Sequence, residues 1–572
     1  MNAADGRRPG AILDRLGVIE DPLVGADPVS FLRSLAAVPA ALTKNPRAAA
    51  AANGRMLIGL AAAARAAAGR GVGRDSAGPV APTKGDRRFD DLAYVENPLY
   101  YLLAQQYLLA NRLVNDLLDA AGLTADQDAK ARFAAKFLMD ALAPTNTFAG
   151  NPAALRQAFD TGGKSVLRGV RNLLGDIRLN GGWPSQVDAS GFEVGVNMAA
   201  TPGSVVYRSQ LIELIQYAPQ GKRVHAVPLL FCPPWINKFY IMDLAPEKSL
   251  IEWAVQHGHT CFAISYRNPD ASMRDLGFED YLRQGLLDAL RVVREITGAP
   301  QVNTLSVCLG GTLTAIGLAH NAAVGDDSVK SATFLNTLTD FTGAGALGVF
   351  TDEATIAGLE RKMAKRGYLD SDQMAHTFDA LRANDLVFSY VVNNWLLGKR
   401  PPAFDLLAWN KDGTRMPAKM HSQYLRACYL NNEFARGEFE VAGHKVDAGK
   451  VKIDTYVLSA VDDHIVPWQS GYQTAHLFGG RNRFVLSTAG HIAGIVNPPG
   501  SKAKHWVNED GLPNDPLEWM AGARLQAGTW WQDWTTWIAG QGGPKVAARK
   551  TLGSRDHPPM EAAPGSYVRT RF

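Results

Sequence analysis

A cysteine, an aspartate and a histidine stand in that order along the chain, each where an apolar run gives way to a turn. Cys308 closes the run "NTLSVC" and is followed by Gly310 and Gly311. In "VLSAVDDHIVPW", Asp463 stands three residues before Val466 and Pro467; in "RNRFVLSTAGHIAGIVNPP", His491 follows Gly490. A thiol, an imidazole and a carboxylate placed this way are the parts of nucleophilic acyl transfer: nucleophile, general base, and the acid that orients the base. S-x-C-x-G alone also fits a buried structural cysteine. The ordered set is the more specific signal. Asp462 is a neighbouring rival for the acid. His464 reads as a structural hydrogen-bonding group, and His225, His257 and His259 as residues without a chemical role.

A cysteine between a strand and a helix sits in the context of a nucleophile elbow, whose sharp turn lifts the side chain above the sheet edge. Residues two either side must be small, and here they are Ser306 and Gly310. A helix N-terminus favours the thiolate and offers N–H donors to an oxyanion. One donor is expected from the N–H of Leu309. The second is expected from "FCPPWINKFYIMDL", where Pro233 and Pro234 have no N–H, leaving Cys232. A serine acyl-enzyme is an oxygen ester well placed for hydrolysis. A cysteine acyl-enzyme is a thioester, close in free energy to acyl-CoA, so its acyl group remains activated for a hydroxyl acceptor.

The elements that would position these residues follow from pattern. From about Val194, short runs rich in Val, Ile and Phe alternate with helical patterns. "HAVPLLFC", "TCFAISY", "VNTLSVC", "VKSATFLNTLT", "VKIDTYVLSA" and "RNRFVLST" read as strands, "YLRQGLLDALRVVREIT" and "TLTAIGLAHNAA" as helices. That alternation predicts an α/β class with a parallel sheet, and the elbow makes it an α/β-hydrolase fold. Between two strands, about 341–445 is helical and aromatic-rich, an insertion read as a cap over the site or as a packing subdomain. About 1–200 is expected to form a mostly helical N-terminal domain and 201–572 the catalytic domain. Gly69 to Gly85 is expected to be a flexible joint.

Hydrophobic content of 46% and charged content of 20% suit a globular chain, and 59 Lys+Arg against 55 Asp+Glu gives no reason to expect nucleic acid. The four cysteines show no metal-ligand spacing, so no metal is expected, and a reduced setting is. "MNAADGRRPGAILDRLG" lacks the apolar core of a signal peptide. Ala48 to Ala68 is interrupted by Arg55 and Arg65, so no transmembrane segment is expected.

These blocks resemble the polyhydroxyalkanoate synthases, in particular the single-subunit class I type. "DRRFDDLAYVENPLYYLLAQQYL" is similar to the family's N-terminal signature, and "FEVGVNMAATPGSVVYRSQLIELIQYAP" to the start of its catalytic domain. "PLLFCPPWINKFYIMDL", "SVCLGGT", "DDHIVPW", "GHIAGIVNPP" and "GTWWQDWTTWI" resemble its later blocks. The resemblance implies polymerisation of (R)-3-hydroxyacyl-CoA, of short chain, into a polyester, with Cys308, His491 and Asp463 as the triad. It implies no cofactor, coenzyme A being released from the substrate. Implied partners are the growing polyester, a second copy in a homodimer, and the surface and proteins of cytoplasmic granules. Ser306 departs from the family's usual Gly, and Phe231–Cys232 from its usual aliphatic residues. The alternatives are a thioesterase or polyester hydrolase on the same scaffold, and a granule-binding protein without activity. Trp530, Trp531, Trp534 and Trp537 read as a packed helix face or as a surface for polymer or partner.

Overall fold

The computed structural model describes residues 28–74 and 77–571. The segment "MNAADGRRPGAILDRLG" lies outside the described residues. Two compact units are formed. One comprises the described residues up to Asp188 together with His376–Ala403; the other comprises Ala189–Ala375 and the chain from Phe404 onward.

The first unit is helical: α1 (Pro28–Leu42), α2 (Pro46–Gly71), α3 (Pro98–Ala121), α4 (Ala125–Ala141) and α5 (Lys164–Leu179) are its long elements. Local chemistry sets their ends. The Asn97 side chain accepts from the N–H groups of Leu99 and Tyr100, Pro98 occupies the first helical position, and Gly122 ends α3 at φ +59°. The stretch after α2, expected to be a flexible joint, is held at Val80. Gln105 bonds both main-chain groups of Val80, its Nε2 donating at 2.9 Å and its Oε1 accepting at 3.3 Å.

The insertion expected as one cap of the catalytic domain is divided, because His376–Ala403 is built into the helical unit. Gly169 and Gly398 allow the backbones to meet: a Cβ at Gly169 would collide with the Trp395 carbonyl, and one at Gly398 with that of Ser165. Trp395 Nε1 donates to Asp176 at 2.7 Å, and Asn172 Nδ2 donates to the carbonyls of Asn394 and Lys399, both at 2.9 Å. Small residues and side-chain amides scattered along the chain thus override its sequence order.

The second unit is built on one eleven-stranded sheet. In chain order its strands are β1 (Gly203–Arg208), β2 (Ile212–Tyr217), β3 (Leu229–Cys232), β4 (Cys261–Tyr266), β5 (Val302–Val307), β6 (Val329–Leu335), β7 (Asp454–Ala460), β8 (Asn482–Ser487), β9 (Lys504–Val507), β10 (Arg524–Ala527) and β11 (Glu561–Ala562). Their spatial order is 10-9-8-7-6-5-3-4-2-1-11. The run from β8 to β4 is parallel; β1, β2, β9, β10 and β11 pair antiparallel. The expected parallel sheet is therefore the centre of a larger mixed one. Every residue of β5 is buried, as a strand covered on both faces must be. This sheet, with a strand-to-helix elbow at the end of β5, is an α/β-hydrolase sheet. Because the central strands run parallel, the loops at their C-terminal ends gather on one edge, and the three candidate residues follow β5, β7 and β8 there.

In the first unit Asp379 is buried and its Oδ2 accepts from Trp183 Nε1 at 3.0 Å and Gln186 Nε2 at 2.8 Å. Burial pushes its pKa up to about 6 despite those hydrogen bonds. A carboxyl with a raised folded pKa favours folding below its unfolded value near 3.8, and that advantage is lost as pH rises through about 6. Asp379→Asn keeps an acceptor for both donors and removes the charge. It is expected to stabilise this unit by about 2 kcal/mol above pH 6 and to change little below pH 4, as read from denaturant midpoints across that range.

Candidate active site

The backbone at Cys308 is turned to φ +49°, ψ −120°, a region sparsely used by residues with a Cβ. It joins β5 to α6 (Leu309–Val324). Three hydrogen bonds hold it there: the Cys308 N–H donates to Leu335 O at 2.9 Å, and its carbonyl accepts from Gly311 at 2.9 Å and Thr312 at 3.2 Å. The turn brings α6 hard against the end of β3. A Cβ on Gly310 would collide with the carbonyl oxygens of Cys232 and Pro233, and one on Gly311 with the Thr337 side chain. Ser306 is fully buried. It bonds Thr314 (Oγ to Oγ1, 2.8 Å), which donates to Gly310 O at 2.8 Å, so the hydroxyl fastens the strand to the first turn of the helix.

Asp463 lies in the turn after β7. Its Oδ1 accepts from the N–H groups of Ile465 at 2.8 Å and Val466 at 2.9 Å, and its Oδ2 accepts from His491 Nδ1 at 2.6 Å. Asp462 points to solvent, and its N–H donates to Ala489 O at 3.1 Å. His491 is the histidine that Asp463 holds; His464 stays half-buried beside the acid. With Nδ1 on the carboxylate, Nε2 is the nitrogen left for Cys308. Burial works against a charged imidazole here. The charges and hydrogen bonds of Asp463 and Cys308 outweigh it and hold the His491 pKa well above the ordinary histidine value.

The loop carrying His491 is anchored by residues whose part in the site was not read from the sequence. In α7 (Trp530–Gln541), Trp530 Nε1 donates to Gly494 O at 2.8 Å and Trp531 Nε1 to Ile495 O at 2.9 Å. Trp530, Trp531 and Trp534 are fully buried, and Trp537 is half-buried against the Tyr456 ring. These indoles pack and donate, and the signal for the second part was the indole N–H itself, a donor that a buried aromatic rarely leaves unused. Asn336, at the end of β6, donates to the His491 carbonyl.

Of the two expected oxyanion donors, Leu309 is the first residue of α6, where an N–H has no acceptor within the helix. Cys232 is different. The Asn303 N–H donates to Pro228 O, so alternate residues of β3 face β5, and Cys232 is one of them, opposite Ser306. Its N–H is spent in the ladder. The expectation of Cys232 as the second donor is corrected on that ground. Its thiol is pushed by burial up to about 12, although Thr314 and Ser306 hydrogen-bond to it. Cys261 and Cys428 are buried too, so Cys308 is the one partly exposed thiol of the four.

Aromatic residues close in around the elbow thiol. Tyr424 and Tyr429, from the part of the insertion that belongs to this unit, lie 5.4 Å apart by ring centroid, with Phe341 4.9 Å from Tyr429 and Trp235 6.0 Å from Tyr424. Burial, with the nearby charge of Cys308 among the further causes, pushes the hydroxyls of both tyrosines up. Among the described residues no group of three His, Cys, Asp or Glu side chains is placed to hold a metal ion.

Sheet and site together define an enzyme of α/β-hydrolase fold with a thiol at its elbow. Residues 227–498 match the model described as alpha/beta hydrolase fold, and residues 85–254 the one described as Poly-beta-hydroxybutyrate polymerase (PhaC) N-terminus. The poly(3-hydroxyalkanoate) polymerase of Methylorubrum extorquens is 45% identical over 496 residues, 86% of this chain and 82% of that one. The polymerase subunit PhaC of Cupriavidus necator is 43% identical over 85% of this chain and 83% of its own. Polymerase 1 of Ectopseudomonas oleovorans is 42% identical over 86% and 88%. The chain belongs to the poly(3-hydroxyalkanoate) polymerase family, transferases on an α/β-hydrolase scaffold.

Ser306→Gly leaves Thr314 bonded to Gly310. It is expected to cost about 1–2 kcal/mol from the lost hydrogen bond and the strand glycine, and to leave the rate of Cys308 alkylation unchanged. Gly310→Ala meets two backbone carbonyls and is expected to cost about 1–3 kcal/mol and to change that rate. Urea unfolding and iodoacetamide kinetics read both, and equal behaviour of the two variants would contradict the geometry of the turn.

Proposed function

We propose that the chain polymerises (R)-3-hydroxyacyl-CoA, with short-chain monomers such as 3-hydroxybutyryl-CoA, into polyester with release of CoA, carrying the acyl group as a thioester on Cys308. The observation that carries this is the elbow thiol of Cys308 beside a His491 whose Nδ1 is held by Asp463 at 2.6 Å, the charges of Asp463 and Cys308 raising the histidine's pKa. The Cys308 thiolate attacks the thioester carbonyl of acyl-CoA. The oxyanion forms beside the N–H of Leu309. As the C–S bond to CoA breaks, the imidazolium gives its proton to the departing CoA sulfur. His491, now neutral, takes the proton of an incoming hydroxyl, whose oxygen attacks the Cys308 thioester. An ester forms, and the Cys308 thiolate leaves beside the imidazolium. Asp463 keeps the ring in register through both halves. The aromatic enclosure limits water, which would divert the thioester to hydrolysis.

No cofactor takes part, because CoA arrives on the substrate and departs as leaving group. The partners that go with this function are acyl-CoA, the growing polyester, a second copy of the chain in a homodimer, and granule-associated proteins at the surface of cytoplasmic polymer granules. They are supported by the likeness to the polymerases. Among the described residues no helix is long and apolar enough to cross a membrane.

Purified protein given (R)-3-hydroxybutyryl-CoA is expected to release CoA and form insoluble polymer. Free 3-hydroxybutyrate as the only product would assign a hydrolase instead. Cys308→Ala and His491→Ala are expected to abolish turnover. Asp463→Asn is expected to spare acylation, measured as bound acyl group in a single turnover, more than elongation, because only elongation needs a neutral imidazole oriented as a base. Equal loss of the two steps would remove that division of roles.

A further inference from the structure

Two adjacent residues at the end of β6 touch all three arms of the site. The Leu335 carbonyl accepts the N–H of Cys308 at 2.9 Å. The Asn336 N–H donates to Leu458 O at 2.8 Å, on the strand that leads to Asp463. The Asn336 side chain donates through Nδ2 to the main-chain carbonyl of His491. Nucleophile, acid strand and base loop therefore meet at one point of the sheet edge.

Asn336 holds this place against two costs. Its backbone sits at φ +45°, where a residue with a Cβ is disfavoured, though asparagine less than most. Its side chain is fully buried, and Oδ1 has no hydrogen-bond partner. A buried acceptor left without a partner costs stability, because its lost hydration is not replaced. Glycine would relieve the first cost and an apolar side chain the second, so packing alone is poorly served by an asparagine. The side-chain hydrogen bond described for it is the one to His491. The other loop anchors, Trp530 and Trp531, act at Gly494 and Ile495, further along the loop.

We propose that Asn336 is a positioning residue of the triad, its side-chain amide fixing the main chain of His491 and so the place of the imidazole between Asp463 and Cys308. This role rests on Cys308 as nucleophile and His491 as its base. The ring is carried on the main chain that Asn336 grips, and a displacement of about 1 Å at such a group can cost on the order of 100-fold in rate.

The test uses the full chain as wild type, Asn336→Gly, Asn336→Asp and His491→Ala. Glycine accepts the backbone and removes the amide. Aspartate keeps the shape, tolerates the backbone and sets an acceptor against the His491 carbonyl. Three quantities are read: the thermal midpoint, kcat and KM for CoA release, and the pH profile of Cys308 alkylation by iodoacetamide, followed by mass spectrometry of the Cys308 peptide. Both Asn336 variants are expected to melt cooperatively. Their kcat is expected to fall roughly 10–100-fold with KM within about 3-fold. Their alkylation profiles are expected to move toward that of His491→Ala. Wild-type kcat and alkylation in Asn336→Gly would overturn the proposal and leave a backbone role only, and failure of both variants to fold would overturn it in favour of a structural one. Alkylation needs no turnover, so it separates two failures. If wild type and His491→Ala alkylate alike at every pH, His491 is not the partner of Cys308 and this role falls with that assignment. If those two differ while the Asn336 variants follow the wild type, only the role of Asn336 falls.

Discussion

The left-handed backbone of Cys308 is the constraint on which the rest of the second unit turns. A residue with a Cβ stays at φ +49° only when its surroundings over-determine it. Here the neighbouring strand takes its N–H, the first turn of α6 takes its carbonyl, and α6 is drawn onto the end of β3. That approach explains why Gly310 has no side chain and why position 306 must be small. Ser306 meets the size limit and uses its hydroxyl as a tie to Thr314. What the backbone strain provides is a thiol raised clear of the sheet, at the head of a helix whose first N–H is free for an oxyanion.

Around that thiol the electrostatics are directional. Asp463 is satisfied on one oxygen by its own loop and turns the other to His491. The imidazole is thus held between a carboxylate and a sulfur, and both favour its charged form against the penalty of burial. The other three thiols are fully buried, where the thiolate is disfavoured. Environment thus sets Cys308 apart as the partly exposed thiol, with identical side-chain chemistry at all four positions. Tyr424 and Tyr429, contributed by the insertion, stand near the same spot.

Much of this was legible in the sequence. The central strands announced themselves as runs of β-branched and aromatic residues bounded by turns, because burial on both faces demands such runs. Cys308, Asp463 and His491 were visible because each ends one of those strands, and Asp463 was separable from Asp462 by its distance to Val466–Pro467. The antiparallel strands on either side of the parallel centre, β1, β2, β9, β10 and β11, were not singled out. Their residues mix polar with apolar, and two to six residues carry little periodicity. Cys232 was misjudged as a donor because a residue's place in a strand does not tell which neighbour its N–H faces; the register against β5 does.

By itself the sequence determined the kind of chemistry, since residue types and their order along the chain are sequence properties. It determined too that a thiol, and not a hydroxyl, would stand at the elbow, and that the sheet would be central and buried. Only the tertiary structure decided which groups meet. It gave His376–Ala403 to the helical unit, against its position between two sheet strands, through hydrogen bonds to a helix more than two hundred residues earlier. It placed indoles from α7 on the loop of His491, and it set Asn336 where β5, β7 and that loop converge. Contacts of this kind depend on register, crossing geometry and the fit of buried donors to carbonyls, and none of these has a local signature in the chain.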